Sequence, residues 1–201
     1  MRPVKGLGIL AALTIALGLV AVQPGTAAAY TTPQVAIRNL AYANLNKGPC
    51  DYTSLGGFFT APDGTASCTI VNGQKVATGG WCGIFAAWVW AKSGHVDTTN
   101  VGHGPSSFAY NYGTAVQATV FNYPQVGDAV VFASPGGGST PGHVGIVWSI
   151  DWSAYKVTVI AGNEGGGVGH VGYRTFYYNA LSTSTPSPAY RPMDYVTPRT
   201  H

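Results

Sequence analysis

The apolar positions of this chain change period near its middle. Between residues 32 and 45, Ile37, Leu40, Ala41 and Leu45 recur along one side of a helix, together with Asn44. Pro33 stands in the first turn, where its missing N–H costs nothing. Lys47-Gly48-Pro49 is the expected stop. A second helical run, CGIFAAWVWAKSG, puts Cys82, Phe85, Ala86, Val89 and Trp90 on one face and ends at Gly94. The stretch from Val96 to Tyr123 is polar, with short helical turns predicted around Ser106–Tyr112. From Asp128 the period becomes that of strands: DAVVF, HVGIVWSI, KVTVIAGN, GHVGYRTFYY and AYRPMDYV, separated by Gly, Ser, Pro and Asp. Helices first and strands after predict an α+β fold, N-terminal helices packed on an antiparallel sheet that is partly rolled into a half-barrel.

The first 29 residues follow a different pattern. Arg2 and Lys5 precede an apolar run from Gly6 to Val22, then Gln23-Pro24-Gly25 and the small residues Ala27-Ala28-Ala29. A basic start, a short apolar core and an A-x-A site predict a secretory signal peptide cleaved after Ala29. A bilayer-spanning helix needs about 20 apolar residues, so this run is short for an anchor. Residues 30–201 then form one domain, which is expected to be secreted, with no membrane contact after cleavage. The chain has 10 Lys+Arg against 7 Asp+Glu, and losing Arg2 and Lys5 leaves eight against seven. No basic face of the kind that grips nucleic acid is expected from that balance. Charged residues are only 8% of the chain, which suits contact with neutral glycan or peptide.

Three cysteines, Cys50, Cys68 and Cys82, leave one thiol over in an oxidising compartment. Three pairings are possible. A Cys50–Cys68 bridge would close a polar, Gly-rich loop and stabilise by roughly 3 kcal/mol on the loop-entropy account. That pairing is expected, with Cys82 free. Cys82 begins its helix, where unpaired N–H groups carry positive partial charge, favour thiolate over thiol and can hold an oxyanion. A small buried core residue is the alternative for Cys82. Among five histidines, His143 opens a strand in GHVGIV, which would fix its ring while leaving an edge toward a cleft. Alternation along KVTVIAGN puts Val157, Val159, Ala161 and Asn163 on one face. Asn163 could therefore orient the imidazole as the third member of a Cys-His-Asn triad. It could equally be a turn residue before the glycines that follow.

GGWCGIFAAWVW, PQVGDAVVF and GHVGIV, followed by a strand ending in Gly-Asn, closely resemble the CHAP family of cysteine, histidine-dependent amidohydrolases and peptidases. The likeness in order and flanking residues runs from about Thr32 to Pro198. It implies a papain-like fold, catalytic positions for Cys82 and His143, and hydrolysis of peptidoglycan at the muramoyl–alanine amide or a stem-peptide bond. It implies no cofactor, a monomer and association with the cell wall. Two departures stand out. Many relatives have Glu-Gly-Asn where this chain has Ala161-Gly162-Asn163, so the orienting role falls to Asn163, or to Glu164, which alternation points to the opposite face. The family's Ala-Asp-Phe after the nucleophile is Gly83-Ile84-Phe85 here, read as a change in helix packing. The acidic calcium loop of some relatives has no counterpart, and His103 and His170 lack zinc-ligand spacing, so no metal is expected. Trp81, Tyr110 and Tyr112 are candidate walls of a substrate cleft, with core packing as the alternative for each. A wall-binding module without turnover, or a protease acting on proteins, would share most of these features.

Overall fold

The computed structural model describes residues 30–48, 51, 68–71, 74–77, 80–98, 100–112, 123–134, 139–165, 169–177 and 192–200. The expected signal peptide and Cys50 lie outside the described residues, and with Cys50 goes the expected disulfide. No helix among the described residues is long and apolar enough to cross a membrane.

The fold is α+β. Helix α1 (Thr32–Tyr42) starts with Gln34 Oε1 accepting the Thr31 N–H at 2.8 Å, which satisfies one of the donors a helix start leaves over. It buries Ile37 and Ala41. It ends earlier than Lys47-Gly48-Pro49 predicts. Asn44 Nδ2 donates to the Leu40 carbonyl at 2.7 Å, and Asn46 turns the chain at φ 63°. The segment then pairs with a strand edge, Asn46 N–H to Val171 O and Val171 N–H to Lys47 O, both at 2.8 Å.

A short hairpin, β1 (Cys68–Val71) and β2 (Gln74–Ala77), follows, which the sequence pattern does not announce. Helix α2 (Cys82–Ser93) ends at Gly94, whose φ of 73° is the left-handed conformation glycine adopts freely. It buries eight of its residues, more than the single face its period suggests. A helix apolar nearly all round belongs inside a core. Here it packs against both α1 and the sheet. A π-helical turn (Ser107–Tyr112) packs Phe108 and Tyr112 against Trp90.

Five antiparallel strands make the main sheet: β3 (Ala129–Ala133), β4 (Pro141–Asp151), β5 (Lys156–Glu164), β6 (His170–Tyr177) and β7 (Pro192–Val196), in the order β6-β5-β4-β3-β7. Its two faces differ. Ala129, Val131, Val144, Ile146, Ile160 and Val171 meet the helices in the larger core. Val130, Phe132, Val147, Val157, Val159, Phe176 and Tyr195 form a smaller core on the other face. Phe132 of β3 and Phe176 of β6 are three strands apart, about 14 Å along a flat sheet. Their rings nevertheless meet at 5.3 Å. The sheet is curled about this second face.

Candidate active site

Cys82 is the first residue of α2, and no side chain caps the N–H groups there. Trp81 before it packs edge-on against Phe85 and lies over Gly162 of β5, where any side chain would collide with the indole. Gly83 after it leaves room for the backbone of His103 and Gly104. Ile84 is buried in the larger core, a place where an aspartate would need a partner. The Gly83-Ile84 departure is thus a packing solution around the start of this helix.

His143, the third residue of β4, hydrogen-bonds Cys82. Both are nearly buried, each 4% exposed. Its Nε2 lies 3.1 Å from Glu164 Oε1, which leaves Nδ1 as the nitrogen that can serve Cys82. Arg174 of β6 grips Glu164 from beyond, Nη2 to Oε2 at 2.8 Å and Nε to Oε1 at 3.3 Å. A forked guanidinium of this kind fixes both the position and the charge of a carboxylate. Thiol, imidazole, carboxylate and guanidinium form one line.

The structure corrects the sequence-based choice of third residue. Asn163 does not meet the ring of His143; Glu164 does. The reason is a break in alternation. Ala161 pairs with Gly172, but Glu164 pairs with His170, so three steps on β5 match two on β6. That extra residue is a β-bulge. Asn163 sits in it at φ 61°, a left-handed conformation that asparagine tolerates better than most residues. Past the bulge, Glu164 shares the face of Val159 and Ala161 instead of opposing it.

Charges in the line reinforce one another. Burial alone would raise the Cys82 thiol. The hydrogen bond and charge of His143, with backbone bonds from Val144 and Gly83, outweigh it and bring the thiol below its ordinary range. Burial alone would lower His143, yet its bonds and charges with Cys82 and Glu164 raise it to about 9. Glu164 is likewise pushed up by burial and pulled down further by His143 and Arg174, to about 2. These directions favour a thiolate–imidazolium pair beside a carboxylate that stays ionised.

The expected cleft walls fare differently. Trp81 and Tyr112 are fully buried and offer no face to a substrate. Tyr112 accepts the Arg199 backbone N–H through its hydroxyl, as a core tyrosine does. Only the backbone of Tyr110 is described, within the π-helical turn. Arg174 escaped the sequence reading altogether, for nothing near it in the chain marks it; its partner comes from the neighbouring strand.

The CHAP domain family model matches residues 72–163, a span that includes Cys82, His143 and Asn163 and stops one residue before Glu164. Over these residues the chain is similar to the CHAP domain. No curated protein and no solved structure matches the chain. CHAP domains are generally amidases or peptidases, which points to hydrolysis of peptidoglycan. No group of three or more metal-binding side chains occurs among the described residues.

Proposed function

We propose that this CHAP-like domain hydrolyses an amide bond of peptidoglycan, at the muramoyl–alanine linkage or within a stem or cross-bridge peptide, by acyl transfer through Cys82. The line Cys82–His143–Glu164–Arg174 carries this reading. The curl of the sheet supports the papain-like half-barrel that such an enzyme needs to present a helix-borne cysteine to a strand-borne histidine. The basic, apolar and A-x-A pattern of residues 1–29 supports export to the wall.

In the resting site the pairing favours a proton on His143 and a thiolate at Cys82. The thiolate attacks the scissile carbonyl carbon, and the first N–H groups of α2 hold the oxyanion that forms. As the tetrahedral species collapses, His143 gives its proton to the leaving amine and a thioester remains on Cys82. Neutral His143 then takes a proton from water, whose oxygen attacks the thioester. Collapse of the second tetrahedral species releases the product as a carboxylic acid, which loses its proton to solvent, and restores the thiolate–imidazolium pair. Glu164 holds the imidazole at the required angle throughout, and its charge favours the protonated ring.

Mass spectrometry of purified peptidoglycan after digestion tests this proposal. New amine and carboxyl termini at one bond type are expected with the protein, and none with Cys82→Ala. Intact walls after treatment, or equal cleavage by Cys82→Ala, would refute it. Sedimentation with walls without any new termini would make the domain a binder.

A further inference from the structure

On the helix-facing side of the sheet, a pocket of about 340 Å³ takes no part in the reaction just described. Ile160 of β5 lies in its lining, with the rings of Tyr42, Trp148 and Tyr173 and the side chains of Thr158 and Thr175. Tyr42, at the end of α1, stacks on Trp148 of β4 with centroids 5.4 Å apart and planes within 12°. Tyr42 is 53% exposed and Tyr173 70%, so aromatic surface is open to a ligand. The Thr158 and Thr175 hydroxyls bond each other at 3.1 Å, and the pair keeps further capacity to donate and accept. None of the described lining residues is charged. Ile160 precedes Glu164 by four residues, roughly 13 Å of strand, and lies on the opposite face of the sheet.

We propose that this pocket is a saccharide subsite, taking an uncharged N-acetylhexosamine ring of a glycan chain. The proposal rests on the peptidoglycan reading for its choice of polymer. The chemistry of the lining gives the ligand class. One face of a pyranose carries polarised C–H groups that fit the negative face of an aromatic ring, while its hydroxyls need neutral donors and acceptors at the edge. Tyr42, Trp148 and Tyr173 supply the first requirement, and Thr158 and Thr175 the second. A charged ligand would lose its hydration with no counter-charge in return, and a purely apolar one would leave the hydroxyls covered and unmatched. The volume lies near the lower end of small-molecule pockets, about 300–1,000 Å³, which suits one or two sugar rings rather than a long chain segment. With the pocket and Cys82 at separate places on the sheet, glycan would be held at one and the peptide branch cut at the other.

The test is titration of a soluble β-1,4-linked N-acetylglucosamine tetramer into the protein carrying Cys82→Ala, followed by heteronuclear NMR. Saturable shifts at the Trp148 indole are expected, with His143 unmoved. Tyr173→Ala, at an exposed position, should weaken binding about tenfold, as loss of one aromatic contact does. Tyr173→Phe should retain it. No saturable shift at Trp148, equal binding by Tyr173→Ala, or preference for a sugar-free stem peptide at this pocket would overturn the proposal. Its failure is separable from that of the enzymatic reading: wall cleavage without sugar binding removes the subsite alone, and sugar binding without cleavage removes the hydrolase alone.

Discussion

Two carboxylates, one half-buried at the bulged end of β5 and one fully buried at the turn before β3, show how partners decide what burial does. Glu164 is drawn down to about 2: burial opposes its charge, but His143 and Arg174 together prevail. Asp128 is fully buried and pushed up to about 7, because burial dominates and the Gln125 backbone N–H, at 2.7 Å from Oδ2, compensates only in part. Among the described residues no cation pairs with Asp128, and its Oδ1 has no well-aligned donor. Either side chain, seen only as an acid in a strand-rich region, could pass for the orienting member of a catalytic triad. Only Glu164 keeps a charge near the histidine. Asp128 closes a turn, its backbone bonded to Val147, and belongs to the scaffold on which β3 and β4 are laid.

The largest difference between the two regions should appear in turnover. Glu164→Ala is expected to lower kcat/KM on peptidoglycan by ~10⁴, the order seen when the third member of a triad is lost. Asp128→Asn, which keeps an acceptor for the Gln125 N–H, should stay within about threefold of the parent if it folds. Asn163→Ala should also lie near the parent, since the bulge turns its side chain away from His143. An Asn163→Ala loss equal to that of Glu164→Ala would return the orienting role to the asparagine.

A subtler separation lies in the pH profile. Activity should rise as Cys82 ionises, below the usual thiol range, and fall as His143 loses its proton near 9. Glu164 is among the groups that raise His143, so Glu164→Gln should move the alkaline limb to lower pH as well as reduce the rate. Asp128→Asn should leave the limb in place. A Glu164→Gln profile superimposable on the parent would mean that Cys82 alone holds the imidazolium.

Much of this was readable from the chain, and the rest fails for identifiable reasons. The five strands fall where the period-two runs put them, and α2 begins at Cys82 because Gly80-Trp81 and the apolar run that follows act locally. Alternation points Asn163 at His143 only while the ladder is regular, and the bulge between Ala161 and Glu164 breaks it. Gly162-Asn163 in a strand was the available warning, as these residues tolerate the conformation that a bulge requires. Arg174 depends on register between β5 and β6, a non-local property that no motif encodes. Trp81 and Tyr112 look like cleft residues by type, yet a large ring beside a catalytic helix can as well be its foundation.

Arg174 offers a smaller effect on the same comparison. Arg174→Met removes the fork that holds Glu164 while leaving the carboxylate beside His143. A loss of about tenfold in kcat is expected, with KM little changed, as for an interaction that positions a group without touching substrate. Arg174→Lys should recover part of it, for lysine supplies the charge but not the bidentate geometry. Full activity in Arg174→Met would show that His143 alone keeps Glu164 in place.

The smallest effect expected is on stability, and here the two acids have opposite signs. Glu164 binds its proton more weakly folded than unfolded, about 2 against 4.5. Its contribution is complete above 4.5 and is lost as pH falls through 2. Asp128 binds its proton more tightly folded, about 7 against 3.8. Stability linked to it is complete below 3.8 and declines as pH rises through 7. His143, raised from 6.5 to about 9, loses its contribution only above that lower value. Between about pH 4.5 and pH 6 Asp128 therefore sets most of the slope, a change of ~2 kcal/mol or roughly 4–8 °C in Tm, with Asp194, also raised by burial, acting in the same direction. Thermal unfolding of the parent should show Tm falling across this interval, and Asp128→Asn should flatten the fall. Glu164→Gln should leave the slope there intact and remove the steep loss below 4.5 instead. A parent Tm that is level from 4.5 to 6 would mean that Asp128 is already ionised when folded, and the contrast between the two carboxylates would disappear.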